Sequence, residues 1–90
     1  MTRNAQDWDA EEDARGRPCP MPVLKARKRL LAMAPGAVLR LLADDPMAAV
    51  DVPHFCAEQG HALLGEEALG QGARAFLIRR GALRADPPEG

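Results

Sequence analysis

The residue in this sequence best suited to do chemistry is Cys19, in the segment Cys19-Pro20-Met21-Pro22 at the start of a predicted helix. A thiol is a nucleophile only as its thiolate, so its reactivity depends on what lowers its pKa. The partial positive charge of a helix N-terminus favours an exposed thiolate by about 0.3–1 kcal/mol. Arg15 and Arg17 lie close in sequence and add positive charge. The segment therefore predicts an exposed, modestly activated thiol.

Proline and glycine are predicted to shape this segment. Pro20 and Pro22 fit the first turn of a helix, where backbone amides have no helical partner. They also remove two amides that could hydrogen-bond a sulfur anion. Gly16 permits a turn that a residue with a side chain would resist. We expect Gly16, Pro20 and Pro22 to orient and expose the thiol more than they lower its pKa.

The second cysteine, Cys56, is far from Cys19 in sequence, so the motif is not the Cys-x-x-Cys pair of a dithiol oxidoreductase. Without a neighbouring thiol, a reactive Cys19 would hold a covalent adduct until a partner takes it, which suits a carrier. Cys56 follows Phe55 in an apolar stretch, which predicts a structural core residue. Cys19 could likewise be a small core residue without a chemical role, but the prolines and charged neighbours favour an exposed turn.

Cys19, His54, Cys56 and His61 could be counted as four metal ligands. Their spacing is unlike that of a zinc finger, and residues 54 and 56 point in different directions on a helix. The sequence therefore predicts no metal and no cofactor. The two histidines are expected at the surface or at helix ends.

Lys25, Lys28 and Arg29 give the first helix a basic side. This side is either a solvated helix face or a docking surface for an acidic partner. We expect Lys25 and Arg29, together with Arg17 and Met21 beside the thiol, to contact partners.

Composition narrows the possible functions. The 90 residues are enough for one small domain, which favours a surface site over an enclosed cavity. The net charge of −1, the 3% aromatic content and the absence of Tyr argue against direct nucleic-acid binding. No apolar run is long enough for a membrane span, and the polar N-terminal residues are not a signal peptide. The expected location is the cytoplasm, with reduced thiols.

Six elements are predicted from periodicity and turn residues. They are a weak strand at residues 12–14, a helix at 21–34, a strand at 36–43, a helix from Asp45 to about Gln59, a strand from Ala62 and a strand at 74–79. Asp44 and Asp45 before Pro46 are interpreted as caps of the second helix. Pro53 inside that helix predicts a kink or two short segments. The buried stripe of the first helix is predicted at Val23, Leu24, Leu30, Leu31 and Ala34.

With this β-α-β-α-β-β order, right-handed crossovers place both helices on one face of the sheet. The predicted fold is α+β, a two-layer α/β sandwich with a four-stranded mixed sheet. We expect the domain at residues 12–82, with tails at 1–11 and 83–90. Trp8 is interpreted as a loose anchor or as an extension of the first strand.

Several segments resemble the TusA/SirA family of sulfur carriers, across residues 12–82. They are Asp13-Ala14-Arg15-Gly16-Arg17-Pro18-Cys19-Pro20-Met21-Pro22, Pro35-Gly36, Ala43-Asp44-Asp45-Pro46, Asp51-Val52-Pro53-His54-Phe55-Cys56, Gly60-His61 and Phe76-Leu77-Ile78-Arg79-Arg80-Gly81. Glu12, where the family usually has an apolar residue, departs from the pattern. So do Arg17 and Pro18, where an apolar and a basic residue are frequent. These changes bear on the surface beside the thiol and hence on partner identity.

The resemblance implies that Cys19 accepts sulfane sulfur as a persulfide from a cysteine desulfurase or rhodanese-like donor. It implies that a downstream acceptor protein receives this sulfur, for tRNA thiolation, sulfur oxidation or cofactor assembly. Such a sulfurtransferase turns over only with its partners present, and we expect a monomer between transfers. Two alternatives stay open: a regulatory protein-binding module, and a thiol redox sensor that forms a stable sulfenate or a disulfide with Cys56.

Overall fold

In the computed structural model, which describes residues 7–81, six elements follow one another in the order β-α-β-α-β-β. They are β1 (Ala10–Asp13), α1 (Met21–Leu31), β2 (Val38–Ala43), α2 (Ala48–Gln59), β3 (Ala62–Gly70) and β4 (Ala73–Arg79). The four strands form one mixed sheet and the helices pack on it, which confirms the predicted α+β fold. Neither helix in this part of the chain is long and apolar enough to cross a membrane.

The direction of the strands determines where the helices begin. The sheet has the order β1-β2-β4-β3, with β1 parallel to β2, and β4 antiparallel to both β2 and β3. Strands β1, β2 and β3 therefore share one direction, and each connecting helix must run back against it. As a result, α1 and α2 are parallel, and both begin at the end of the sheet where β1 and β2 finish.

The core lies between the helices and one face of the sheet. Alternate residues of the central strands point to the helices, because successive side chains of a strand lie on opposite faces. The core cluster accordingly contains Leu39 and Leu41 of β2 and Phe76 and Ile78 of β4, packed against both helices. This is the arrangement that the two-layer prediction requires.

The buried stripe of α1 differs from the predicted one. Pro22, Ala26 and Leu30 are buried at a spacing of four residues, whereas Leu24 and Leu31 are exposed. Residues 24 and 31 belong to a second apolar row, rotated away from the sheet. The sequence contains both rows, and small residues in one of them let the helix approach the sheet closely.

Several element boundaries also change. Strand β1 begins at Ala10, ahead of the predicted boundary at 12. Just before it, the Asp9 amide donates to the Val38 carbonyl and the Val38 amide donates to Asp9 Oδ2, each at 2.8 Å. The tail predicted at 1–11 is therefore wrong for its last residues, because β1 needs them to pair with β2.

Helix α2 runs through Pro53 as one helix, without the predicted division into two short segments. The C-terminal tail and residue 82 lie outside the described residues.

The sheet face without helices is organised around Arg40. Its guanidinium makes an ion pair with Glu11 at 2.8 Å and with Glu67 at 3.5 Å. It also lies 4.6 Å from the centre of the Trp8 ring, so Trp8 serves as an anchor ahead of β1. A groove of about 960 Å³ lies on this face, lined in part by Trp8 and Arg40. It lies across the sheet from the face that the helices cover.

Candidate thiol site

Cys19 lies in the loop between β1 and α1, two residues before the helix begins. The loop turns at Gly16, whose φ of 83° is in the left-handed region that favours glycine, and Pro20 is the N-cap of α1. The Cys19–Pro20 peptide bond is cis. Residues 15–18 and Pro20 of this turn are exposed, as predicted, but the thiol of Cys19 is half-buried and packs against the edge of the core. Pro22, in the first turn of α1, is buried.

Two aspartates of the β2–α2 loop hold this segment in place. Asp44 accepts hydrogen bonds from the Gly16 amide with both carboxylate oxygens, at 2.9 and 3.1 Å. Asp45 Oδ2 accepts one from the Cys19 amide at 3.3 Å, while its Oδ1 accepts one from the Met47 amide at 2.8 Å. The loops can meet because both helices begin at the same end of the sheet. Asp45 thus joins the thiol loop to the start of α2.

The capping role predicted for these aspartates needs correction. The N-cap of α2 is Met47, and no side chain caps this helix. Asp45 does bond a backbone amide near the helix start, but its second oxygen and both oxygens of Asp44 serve the cysteine loop. Local sequence suggested the cap because Asp before Pro is a common helix start. The amides of Gly16 and Cys19, which these carboxylates bind instead, are distant in sequence, so only the fold reveals them.

The environment of the thiol is acidic and partly desolvated. Burial, a hydrogen bond to the Asp51 carboxylate and the negative charges of Asp45 and Asp51 together raise the pKa of Cys19 to about 11. Asp51 lies in the first turn of α2. These influences outweigh the predicted help from the start of α1, since each carboxylate disfavours a nearby thiolate. The prediction of a lowered pKa is therefore wrong for the free protein.

Arg15 does not activate the thiol, because its guanidinium is bound to Asp13. Nε donates to Oδ1 at 2.9 Å, and Nη2 donates to Oδ2 at 2.8 Å. These hydrogen bonds lower the pKa of Asp13 to about 2. Arg17 is exposed in the loop just before the cysteine.

The predicted basic side of α1 is partly neutralised by Glu12. This residue lies on the helix-facing row of β1, where its Oε1 accepts a hydrogen bond from Arg29 at 3.0 Å. Its Oε2 lies 3.6 Å from the ammonium of Lys25. The two cations explain how a carboxylate occupies a position at which an apolar residue was expected. Partner contacts by Lys25 and Arg29 stay a prediction.

Exposed apolar side chains lie at the end of the molecule that carries the thiol. Met21 and Leu24 belong to the start of α1, and Met47 and Val50 to the start of α2, with exposure from 37% for Met21 to 61% for Val50. We call these four residues the apolar rim. Of these, only Met21 was expected to contact partners. Leu24 was missed because it was read as a core residue, and the other two because they follow a presumed cap.

The remaining candidate ligands lie elsewhere in the structure. Cys56 is only 2% exposed in the core, and burial raises its pKa to about 11. Both cysteines are free thiols. His54 is exposed and lies 3.3 Å from Glu58, whereas His61 Nδ1 accepts a hydrogen bond from the Gly81 amide at 2.9 Å. Within residues 7–81, no group of three or more potential ligands is placed to hold a metal ion.

The fold is a small α+β domain in which two parallel helices pack on a four-stranded sheet. Its one accessible cysteine among residues 7–81 is the half-buried Cys19, beside the first turns of the helices. The model of the family described as sulfurtransferase TusA matches residues 11–80, and the chain belongs to this family. A SirA-like protein from Desulfitobacterium hafniense has a similar structure, with a TM-score of 0.67 and 26% sequence identity. The match covers 81% of this chain and 99% of that one. Family and fold together support a general role as a sulfur carrier.

Proposed function

We propose that this protein accepts sulfane sulfur as a persulfide on Cys19 and passes it to an acceptor protein. The observation that carries the proposal is the placement of one accessible thiol at the end of the molecule that carries the apolar rim, with the second cysteine buried in the core. An exposed apolar surface around a reactive group fits a protein partner better than a small polar substrate. The lack of an accessible resolving thiol favours holding an adduct until a partner removes it.

The transfer moves a sulfur atom without net oxidation or reduction. Cys19 loses its proton, and its sulfur attacks the terminal sulfur of a donor persulfide. The sulfur–sulfur bond of the donor breaks, and the donor cysteine leaves as a thiolate that takes up a proton. Cys19 then carries the persulfide. The same exchange with an acceptor thiol returns Cys19 to its starting state.

The proposed donor is a cysteine desulfurase or a rhodanese-like protein, in a reducing cytoplasm. The proposed acceptor belongs to a pathway of tRNA thiolation, sulfur oxidation or cofactor assembly. The acidic surroundings of the thiol and the partial neutralisation of Lys25 and Arg29 argue against direct contact with nucleic acid during transfer. Protein partners are therefore the proposed route in both directions.

Sulfur loading tests the proposal directly. The protein is incubated with a cysteine desulfurase and cysteine, and its intact mass is measured without reductant. We expect the wild type to gain one sulfur atom and Cys19→Ser to gain none. Cys56→Ala is the matched control, and it should load like the wild type wherever it remains folded. No gain of mass with any competent donor would contradict the proposal.

The apolar rim also suits a second function, a protein-binding module in which Cys19 has no chemical role. This function predicts that Cys19→Ser keeps all cellular activity, whereas Leu24→Glu and Val50→Glu abolish it. Partner capture with each variant separates the two functions. A redox sensor with a Cys19–Cys56 disulfide is less favoured, because Cys56 would have to leave the core.

A further inference from the structure

The groove of about 960 Å³ on the sheet face without helices has no role in the proposed sulfur transfer. Arg40 of β2, Leu77 of β4 and Gly65 of β3 are register partners that form one row across it. Ala75 and Glu67 are partners in the next row. Cross-strand partners project to the same face of a sheet, so the floor between Arg40 and Glu67 consists of one leucine and two small residues. This floor is low and apolar.

One wall of the groove is held in place by several contacts. The Arg40 guanidinium lies over the Trp8 ring, and it also pairs with Glu11 and Glu67. The Arg40 side chain is only 18% exposed as a result. Trp8 is 43% exposed, so part of the indole stays open to a further contact. The groove therefore has an aromatic group ready beside its apolar floor.

The charges at the groove favour a cationic occupant. Among the described residues that line it, Arg40 is the only cation. Its single charge is shared between Glu11 at 2.8 Å and Glu67 at 3.5 Å, and Asp7 adds a third carboxylate to the lining. Three carboxylates thus face one guanidinium. The surface keeps negative charge that a cation of an occupant can offset.

We propose that this groove is a docking site for a segment of a partner protein that presents a lysine or arginine between apolar side chains. The apolar neighbours lie on Leu77 and Ala75, and the aliphatic part of the cationic side chain crosses the same floor to reach Glu67 or Asp7. An exposed ion pair contributes little affinity by itself, so the apolar contacts hold the segment and the charges select it. A contact confined to one groove fits a transient complex.

The position of the groove gives such docking a use. It lies across the sheet from the helices, whereas Cys19 lies in the loop before α1. A partner bound in the groove can therefore hold the protein while the thiol reacts with a second protein. The docking proposal goes beyond the proposed sulfur transfer and stands whether or not Cys19 carries sulfur.

The first experiment uses a phage-displayed library of random heptapeptides as the probe. The library is depleted on Gly65→Leu, whose added side chain would fill the groove, and is then selected on the wild type. A Cβ at Gly65 meets no atom within 4 Å, so this variant should fold. We expect the selected peptides to carry a lysine or arginine next to apolar residues. No enrichment, or enriched peptides without a cation, would overturn the proposal.

The second experiment measures affinity through Trp8, the only tryptophan of the chain, whose fluorescence reports on the groove. A synthetic copy of the most enriched peptide is titrated into each protein. Gly65→Leu should weaken binding by about tenfold or more. Glu67→Gln should weaken it by about two- to fivefold, the range for one exposed ion pair. Ala68→Leu, which places a leucine in the same strand outside the groove, should bind like the wild type. Equal affinities of the wild type and Gly65→Leu would refute docking at this site.

Two further measurements identify the occupant. With saturating peptide, alkylation of Cys19 by iodoacetamide should keep its rate, and protection of Cys19 would place the contact at the thiol end instead. Sedimentation at high protein concentration should show a monomer. A dimer that Gly65→Leu disrupts would assign the groove to a second copy of this chain. Either of these contrary results would overturn the proposal.

Discussion

The two ends of this molecule are built differently, although each is a cluster of loops where helices meet strands. At the thiol end, where α1 and α2 begin, carboxylate side chains of half-buried or exposed residues hold the backbone, and the apolar rim faces outward. At the closed end, where both helices terminate, the backbone itself makes the contacts. The Gly36 amide donates to the Arg80 carbonyl at 2.9 Å, and the Arg80 amide donates to the Ala37 carbonyl at 2.8 Å.

The closed end is also the more tightly packed of the two. Arg80 is only 6% exposed, at the end of the sheet where both helices terminate. Gly81 lies so close to Gly60 that there is no room for a side chain. The comparison indicates that substitutions at the closed end should change stability, whereas those at the thiol end should change chemistry.

The strongest test of this comparison is Gly81→Ala. A Cβ at this position would lie 2.0 Å from the Gly60 carbonyl oxygen, so backbone must move. We expect the free energy of unfolding to fall by about 3 kcal/mol, measured by urea denaturation. Gly65→Ala is the matched control, since a Cβ there would meet no atom within 4 Å. Equal stability of the two variants would contradict the picture of a tightly packed closed end.

Asp44→Ala tests the thiol end with a smaller effect on stability. It removes the acceptor of the Gly16 amide, and the free energy of unfolding should fall by about 1 kcal/mol. Hydrogen exchange at the Gly16 amide should become faster, since the loop loses this tie to β2. Asp44→Asn keeps a side-chain oxygen and should preserve most of the protection. Unchanged exchange in Asp44→Ala would show that other contacts hold the loop.

The smallest expected effect concerns the protonation of His61. Burial and the charge of Arg80 lower the pKa of His61 below its ordinary value of 6.5, and Nδ1 is occupied as a hydrogen-bond acceptor. Stability contributed by the neutral ring is therefore present above pH 6.5 and is lost as the pH falls through the lowered pKa. We expect a midpoint below 6.5 by NMR titration and a slight loss of unfolding free energy in mild acid. His61→Asn, which keeps an acceptor, should remove this dependence; a midpoint above 6.5 would refute it.

Much of the fold could be predicted from the sequence because its signals are local. Proline, glycine and apolar periodicity mark the order of the six elements, and right-handed crossovers then place both helices on one face. The limits of these signals are visible in α1, where two apolar rows compete and only packing on the sheet buries the one with Ala26. Strand β1 was the weakest prediction, because it owes its length to pairing with β2 rather than to its own pattern.

The sequence by itself determined that Cys19 stands before a helix, in a proline-shaped loop without a resolving thiol. It could not determine the charge around that thiol. Arg15 and Arg17 are near in sequence and suggested activation, yet Asp45 and Asp51 are near in space and act in the opposite direction. The electrostatic effect of a charge depends on its distance through the structure and on the water displaced between the groups. Tertiary structure alone, by making the two helices begin side by side, decided that burial and these two carboxylates raise the pKa of the thiol.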